Sequence, residues 1–269
     1  MKKIISCIFV LSFVFLLTGC KRNYEYDNFK LYTAGNTEVS NISNLDISWI
    51  SGDVILQYYD GNKIVVSETA DEELSVKKQL QWLVQGNTLN IKFAKPDKYK
   101  VLSRLDKTLT VLIPATSINM NIEIEVLNAN LSIDKLTANH FEIETESGDV
   151  TLGNIKVDEL SIDSKSGQVL IDNLFSNELN IETESGKIDI SMREHLANEI
   201  EIESKTANVH LRICDQGFIL KFSSRRGKFY NPDFSTIYTH TNKSHVYKNG
   251  GSFIEMESRR GSLYLYKLV

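Results

Sequence analysis

Glu125, Glu144, Asp163, Glu182 and Glu203 recur every 19 to 21 residues. Rows of hard carboxylate oxygens are the donor type that holds Ca²⁺. Single carboxylates without Asn or carbonyl partners make a poor cage, however, and the Gly-Gly-rich nonapeptide of calcium-binding β-rolls is absent. The row therefore reads as a solvated acidic face, and no metal site is expected. The same spacing governs the hydroxyls Thr145, Ser164, Thr183, Ser204 and Ser224, and Ser258 holds the matching place in the last copy. A nucleophile needs an activating base, and no His or Lys keeps a constant offset to these residues. They read as small side chains bonding to backbone at a tight corner. His140, His195, His210, His240 and His245 give neither a Cys/His zinc spacing nor His-Glu-x-x-His. No catalytic residue and no cofactor is expected. Arg225, Arg226 and Lys228, with Arg259 and Arg260, flank two glycines at matching positions beside Phe229, Tyr230, Tyr264 and Tyr266. They form the best ligand patch in the chain, suited to an anionic glycan or a lipid headgroup.

The composition bounds what can carry these groups. Of 269 residues, 42% are hydrophobic and 24% charged, which excludes collagen-like, disordered and multi-span membrane chains. The formal charge of -5, with no basic block, argues against nucleic acid as a partner. Three cysteines are too few for a disulfide scaffold. Cys214 lies in an apolar stretch with Leu211 and Ile213 and is expected to be a packed, inert thiol.

The first twenty residues give an address. Lys2 and Lys3 precede a run from Ile4 to Leu17 that is apolar apart from Ser6, Cys7 and Ser12. Fourteen residues are too short for a bilayer, which needs about 20, but suit the apolar region of an export signal. Leu17-Thr18-Gly19-Cys20 follows and resembles the bacterial lipobox. That resemblance implies a signal peptide over 1–19 and palmitate-type acylation of Cys20. The protein would then sit outside the cytoplasm, anchored to the cell membrane or the outer membrane. Residues 20–41 are polar without a sustained period and read as a tether.

An internal repeat dominates the remainder. Phe141 to Leu152, Leu160 to Ile171 and Leu179 to Ile190 share one pattern: apolar, x, apolar, x, small, x, Ser, Gly, x, apolar, x, apolar. Weaker copies begin at Leu45, Ile122, Ile200, Leu220 and Ile254. Period-two alternation on both sides of Ser-Gly marks two half-buried strands, and Gly52, Gly148, Gly167, Gly186, Gly227 and Gly261 make the corner between them. Two all-β architectures satisfy the unit. In a parallel β-solenoid each repeat of about 19 residues is one coil, and equal positions stack about 4.8 Å apart. In an antiparallel meander or sandwich each Ser-Gly is a hairpin turn. Equal periods and equal corners favour the solenoid. So does the row Glu146, Lys165, Glu184, Lys205, whose signs alternate. The expected layout is a β-rich cap with a first repeat over 42–121 and a solenoid over 122–269. Residues 71–83 read as a short helix or a variable loop. An excursion at 230–251 reads as a loop or hairpin whose removal should leave the solenoid folded.

Ser51-Gly52-Asp53-Val54, Ser147-Gly148-Asp149-Val150 and the strand ending at Ile113-Pro114 carry a family likeness. Over about residues 42–268 the chain resembles the bacterial putative-adhesin family of β-strand repeat proteins, relatives of auto-transporter adhesin head domains. Ala129, Ala207 and the Arg-Gly copies at Arg226 and Arg260 depart from the motif. The resemblance implies a secreted or lipid-anchored β-solenoid with an adhesive or scaffolding role and brings no catalytic residues. The function expected is therefore non-enzymatic: a lipid-anchored cell-envelope protein whose partner is a protein or a polysaccharide. Two alternatives are a β-helix carbohydrate-active enzyme of the polysaccharide-lyase type and an envelope-stress or signalling partner of a membrane protein.

Overall fold

Each repeat lies against the next in parallel register. Ile143 faces Ile162, Ile162 faces Ile181, and Ile181 faces Ile202. The computed structural model describes residues 23–234, 238–239 and 244–268. The export signal, Cys20 and His240 lie outside the described residues. Within them the chain is a β-solenoid. A coil consists of one strand, the Ser-Gly corner, a second strand and a connector with an inward apolar residue. In the coil at 140–157, Phe141, Ile143, Val150, Leu152, Ile155 and Val157 are all buried. Burying each such side chain contributes about 1.5–3 kcal/mol. Equal coils place these side chains in continuous apolar columns, so one core runs the length of the stack.

Stacking order differs from chain order at both ends. The first coil is 88–114, made by Thr88–Lys92 and Lys107–Pro114. The second is the earlier strand Asn44–Tyr59, which pairs in parallel with both halves of the first. The third, Asn121–Thr137, lies on the other side of the second. Coils four to seven follow in order at 140–156, 159–175, 178–192 and 199–213. The eighth is then the C-terminal segment, Ser252–Ser258 with Leu263–Lys267. The ninth is 218–230, which stacks on the eighth. The expected succession of rungs in chain order is thus corrected at each end. At the C-terminal end the chain runs out to the ninth position and returns to fill the eighth, and at the N-terminal end it lays down the second coil before the first. Nine coils at about 4.8 Å span about 40 Å.

Antiparallel strands close the ends. Gln81–Gln85 lies on the first coil's first strand and Ile64–Ala70 on its second. Thr33–Ala34 and Thr37–Val39 add one short strand to each. Short, covered edges of this kind resist edge-to-edge pairing. The coils at 44–59 and 88–114 show that the solenoid begins well before residue 122. No helix forms over 71–83; a turn at Ser75–Gln79 leads into the strand from Gln81. The segment expected to be a tether is docked from Asn23 onward. Asn23–Tyr24 pairs with Asp97–Lys98, and the Tyr24 hydroxyl accepts a hydrogen bond from the Phe93 amide at 3.1 Å.

The described parts of the excursion at 230–251 are also built into the fold. Ser244–Tyr247 pairs antiparallel with the ninth coil, and Phe234 and Tyr247 are buried around Phe218. Asp215 accepts from the Tyr247 hydroxyl at 2.8 Å and pairs with Lys248 and Lys267 at 2.9 Å. Those three partners hold the Asp215 carboxyl well below the usual range. Deleting this segment would uncover the ninth coil and cut the path that returns the chain to the eighth.

Candidate ligand site at the arginine corner

The corners carry a ladder of outward side chains. The hydroxyl row caps each bend from inside. Thr183 Oγ1 donates to the Ser185 carbonyl at 2.9 Å, and Ser224 and Ser258 accept from the amides of Gly227 and Gly261 at 2.8 and 2.7 Å. Those bonds engage the hydroxyls with their own backbone, as capping side chains rather than nucleophiles. Gly52, Gly167 and Gly186 have φ of +90°, +118° and +114°. Gly148, Gly227 and Gly261 do not share that conformation. There a Cβ would overlap the carbonyl of the neighbouring coil. Ala129 and Ala207 occupy the same row without a positive φ and are fully buried.

Outside the bend, charges stack by coil. Lys165 pairs with Glu146 at 2.7 Å and Lys205 with Glu184 at 2.5 Å, as the alternating row requires. The pattern then breaks. Ser204, Ser258 and Ser224 are in register, so Lys205, Arg259 and Arg225 follow one another along the stack, with Arg260 and Arg226 beside them. Their backbones are fixed by coil-to-coil bonds: Arg225 and Arg259 amides donate to the Ser258 and Ser204 carbonyls at 3.3 and 3.2 Å. The four guanidiniums are exposed and line one small concavity together. Among the described residues none of them pairs with a carboxylate. Stacked like charges repel, and planar guanidiniums match carboxylate, sulfate and phosphate oxygens in bidentate geometry. Lys228 follows on the next outward position of the ninth coil.

Next to this corner an open groove of about 460 Å³ runs along coils five to nine, lined by Lys165, Thr183, Lys205, Glu203, Glu257 and Arg259 among others. The aromatics give less than their number suggests. Tyr230, Tyr264 and His210 stack face to face at 4.8 and 4.6 Å, so both faces of Tyr264 and one face of Tyr230 are spent within the stack. His195 lies apart, against Phe175, and His140 beside Glu142 and Glu159. Among the described residues no group of three or more His, Cys, Asp or Glu is arranged to hold a metal ion.

The model of the Toastrack DUF4097 family matches residues 42–212 and 162–252. The chain belongs to that family. Three solved structures are similar to this Toastrack chain over nearly its whole length. One is described as a putative lipid binding protein from Parabacteroides distasonis, with 16% identity, 94% of this chain and 98% of that one covered, and a TM-score of 0.49. One is a putative adhesin from Bacteroides fragilis, with 11% identity, 93% and 98% covered, and a TM-score of 0.44. One is a putative cell adhesion protein from Clostridium sporogenes, with 10% identity, 93% and 100% covered, and a TM-score of 0.38. No curated protein matches the chain.

On the Toastrack wall away from the corner, the acidic row is electrostatically loaded. Glu144 sits between Glu125 and Asp163, with Glu142 and Glu123 nearby. Crowding strips water from its carboxylate and those neighbours repel its charge, which pushes its pKa up to about 7. Glu125 and Asp163 shift the same way, desolvation first. A carboxyl whose folded pKa lies above its unfolded one adds stability below the unfolded pKa and loses it as pH rises through the folded value. These carboxyls should therefore raise the melting temperature as pH falls from about 8 to about 5, opposed by His210 and His245, which burial makes harder to protonate in the fold. Glu144→Gln should raise it at pH 8 and flatten the profile. Melting curves of both proteins across that range check this, and parallel profiles would refute it.

Proposed function

We propose that this protein is a non-enzymatic, lipid-anchored, adhesin-like component of the bacterial cell envelope that binds an acidic polysaccharide at its arginine corner. The observation that carries the reading is the set of four exposed guanidiniums, Arg225, Arg226, Arg259 and Arg260, stacked without carboxylate partners. Every other strong charge row of the solenoid either alternates in sign or is acidic throughout. A uniform cationic step at one corner is complementary to a linear anion whose charges repeat along the stack. The Toastrack fold suits such a role because its rigid ladder holds the four groups in fixed register. Leu17-Thr18-Gly19-Cys20 supports export and acylation at Cys20. Several acyl chains, each contributing about 0.8 kcal/mol per buried CH₂, would hold the protein at the outer face of the cell membrane or at the outer membrane.

Polygalacturonate and neutral dextran are the test probes. The protein should bind the acidic polymer, weaken with salt, and ignore dextran. Replacing all four arginines by Gln should lower affinity by about tenfold or more, without lowering the melting temperature, since like-charge repulsion is relieved. Equal binding by the variant would overturn the site. Release of unsaturated products from polygalacturonate would overturn the non-enzymatic reading.

A further inference from the structure

Large apolar side chains are unevenly exposed on this molecule. Among the described residues eight stand out, and six of them, Phe29, Leu31, Val76, Val84, Val101 and Ile118, lie within the N-terminal 118 residues. Leu31 is 65% exposed and Val76 59%, values no packing requirement explains.

Four of the six belong to segments that the fold weaves together at the first coil. Asn23–Tyr24 pairs with Asp97–Lys98, and Tyr99–Leu102, which carries Val101, follows directly. The Tyr26 hydroxyl donates to the Ala94 carbonyl at 3.1 Å, and the short turn Phe29–Leu31 leads on to Thr33–Ala34 against Gln81 and Trp82. The Lys95 amide donates to the Lys77 carbonyl at 3.0 Å, and Gln81 bonds to the Val76 carbonyl at 3.3 Å.

One segment of this weave is basic. Residues 95–104 hold Lys95, Lys98, Lys100 and Arg104 against Asp97, while the adjoining segments are mixed, with Glu25 and Asp27 beside Lys30, and Asp71, Glu72 and Glu73 before Lys77 and Lys78. Lys95, Lys98, Lys100 and Arg104 pair with no carboxylate among the described residues. The shaft is strongly acidic: residues 119–204 carry 19 acidic and 5 basic side chains. An anionic bilayer repels such a shaft and attracts the 95–104 cations and the apolar tips beside them.

We propose that this N-terminal cap is a membrane-contacting surface, with Phe29, Leu31, Val76 and Val101 entering the lipid interface and the 95–104 cations facing anionic headgroups. The orientation rests on the lipid-anchored reading. Cys20 precedes the paired residue Asn23 by three positions, a leash of about 10 Å when extended. An acyl group on Cys20 therefore cannot be far from this cap. The solenoid stands on its first coil and displays the arginine corner about 35 Å away, at the eighth and ninth.

The test uses the chain from residue 20 onward with Cys20→Ser, which contains every core residue described and carries no lipid. It is floated with vesicles of phosphatidylcholine containing roughly a third phosphatidylglycerol, and with phosphatidylcholine alone. Binding is expected to the anionic vesicles. Leu31→Glu with Val101→Glu should cut the bound fraction about tenfold with an unchanged melting curve. The four-arginine Gln variant should float like the parent. An unlipidated parent that never floats overturns the proposal, and so does loss of flotation in the arginine variant but not in the cap variant. The lipid-anchored reading is tested separately, by detergent-phase partitioning of the full chain with and without Cys20→Ala. Its failure would leave the flotation result standing.

Discussion

Gly167→Val is expected to cost about 3 kcal/mol or more of folding stability. Two causes add at this corner. The backbone has φ of +118°, a region that β-branched residues scarcely enter. In addition, a Cβ would overlap the carbonyl oxygen of Gly148 in the adjacent coil. That oxygen cannot retreat, because the corner it belongs to is held from both sides: the amides of Ser147 and Ser166 donate to the Leu127 and Glu146 carbonyls at 2.9 and 3.0 Å. Relief would require separating coils four and five, breaking the ladder on both faces. Gly86 separates the two causes. It has φ of +63° but nothing within 4 Å of an added Cβ. Gly86→Val should therefore show the conformational cost alone, about 1–2 kcal/mol. Urea unfolding of both variants makes the comparison. Equal losses would mean that close stacking at the corner contributes nothing.

The solenoid was readable in the sequence because stacking imposes equal periods. Gly148, Gly167 and Gly186 are 19 residues apart, and Phe141, Leu160 and Leu179 repeat the same inward step. The order of stacking was not readable at the ends. The copies at Leu220 and Ile254 both carry Ser, Arg, Arg and Gly at matching positions, and either would fit against the coil at 199–213. What decides is the return path through 231–251, whose buried Phe234 and Tyr247 sit on the ninth coil and interrupt no period. The N-terminal end hides its order in the same way, since Thr88–Lys92 and Lys107–Pro114 are separated by a 14-residue insertion in place of Ser-Gly. The arginine corner was legible as a recurring position. That its guanidiniums lack carboxylate partners was not, because that depends on which coil follows Lys205. Lys107 was missed altogether: its partners are 14 to 39 residues away in a part of the chain without a repeat.

Lys107→Met should be the most damaging polar substitution, at about 3–5 kcal/mol. The side chain is fully buried and its ammonium pairs with Glu68 at 2.7 Å. It also donates to the carbonyls of Lys78, at 2.9 Å, and Phe93, and lies 4.1 and 4.7 Å from the ring centroids of Phe93 and Trp49. Burial pushes its pKa down to about 8, with Glu68 opposing the shift, so at pH 7 the group remains charged. The arrangement ties the strand Ile64–Ala70 to the turn before Leu80 and to Phe93, just past the first coil's first strand. Glu68 is shared further, accepting from the Leu80 amide at 2.6 Å. Met keeps the volume and the apolar contacts but strands the Glu68 carboxylate, which is almost without water. Adding Glu68→Gln should recover part of the loss, so the double variant should be more stable than Lys107→Met alone. The damage should also be local. Tyr24 and Tyr26 dock beside Phe93 and Ala94, so loosening the cap should expose residues 23–34 to protease before coils four to nine are cut. Chemical denaturation with limited proteolysis checks both points. A double variant no better than the single, or cleavage spread evenly along the stack, would show that Lys107 is not what locks the cap to the solenoid.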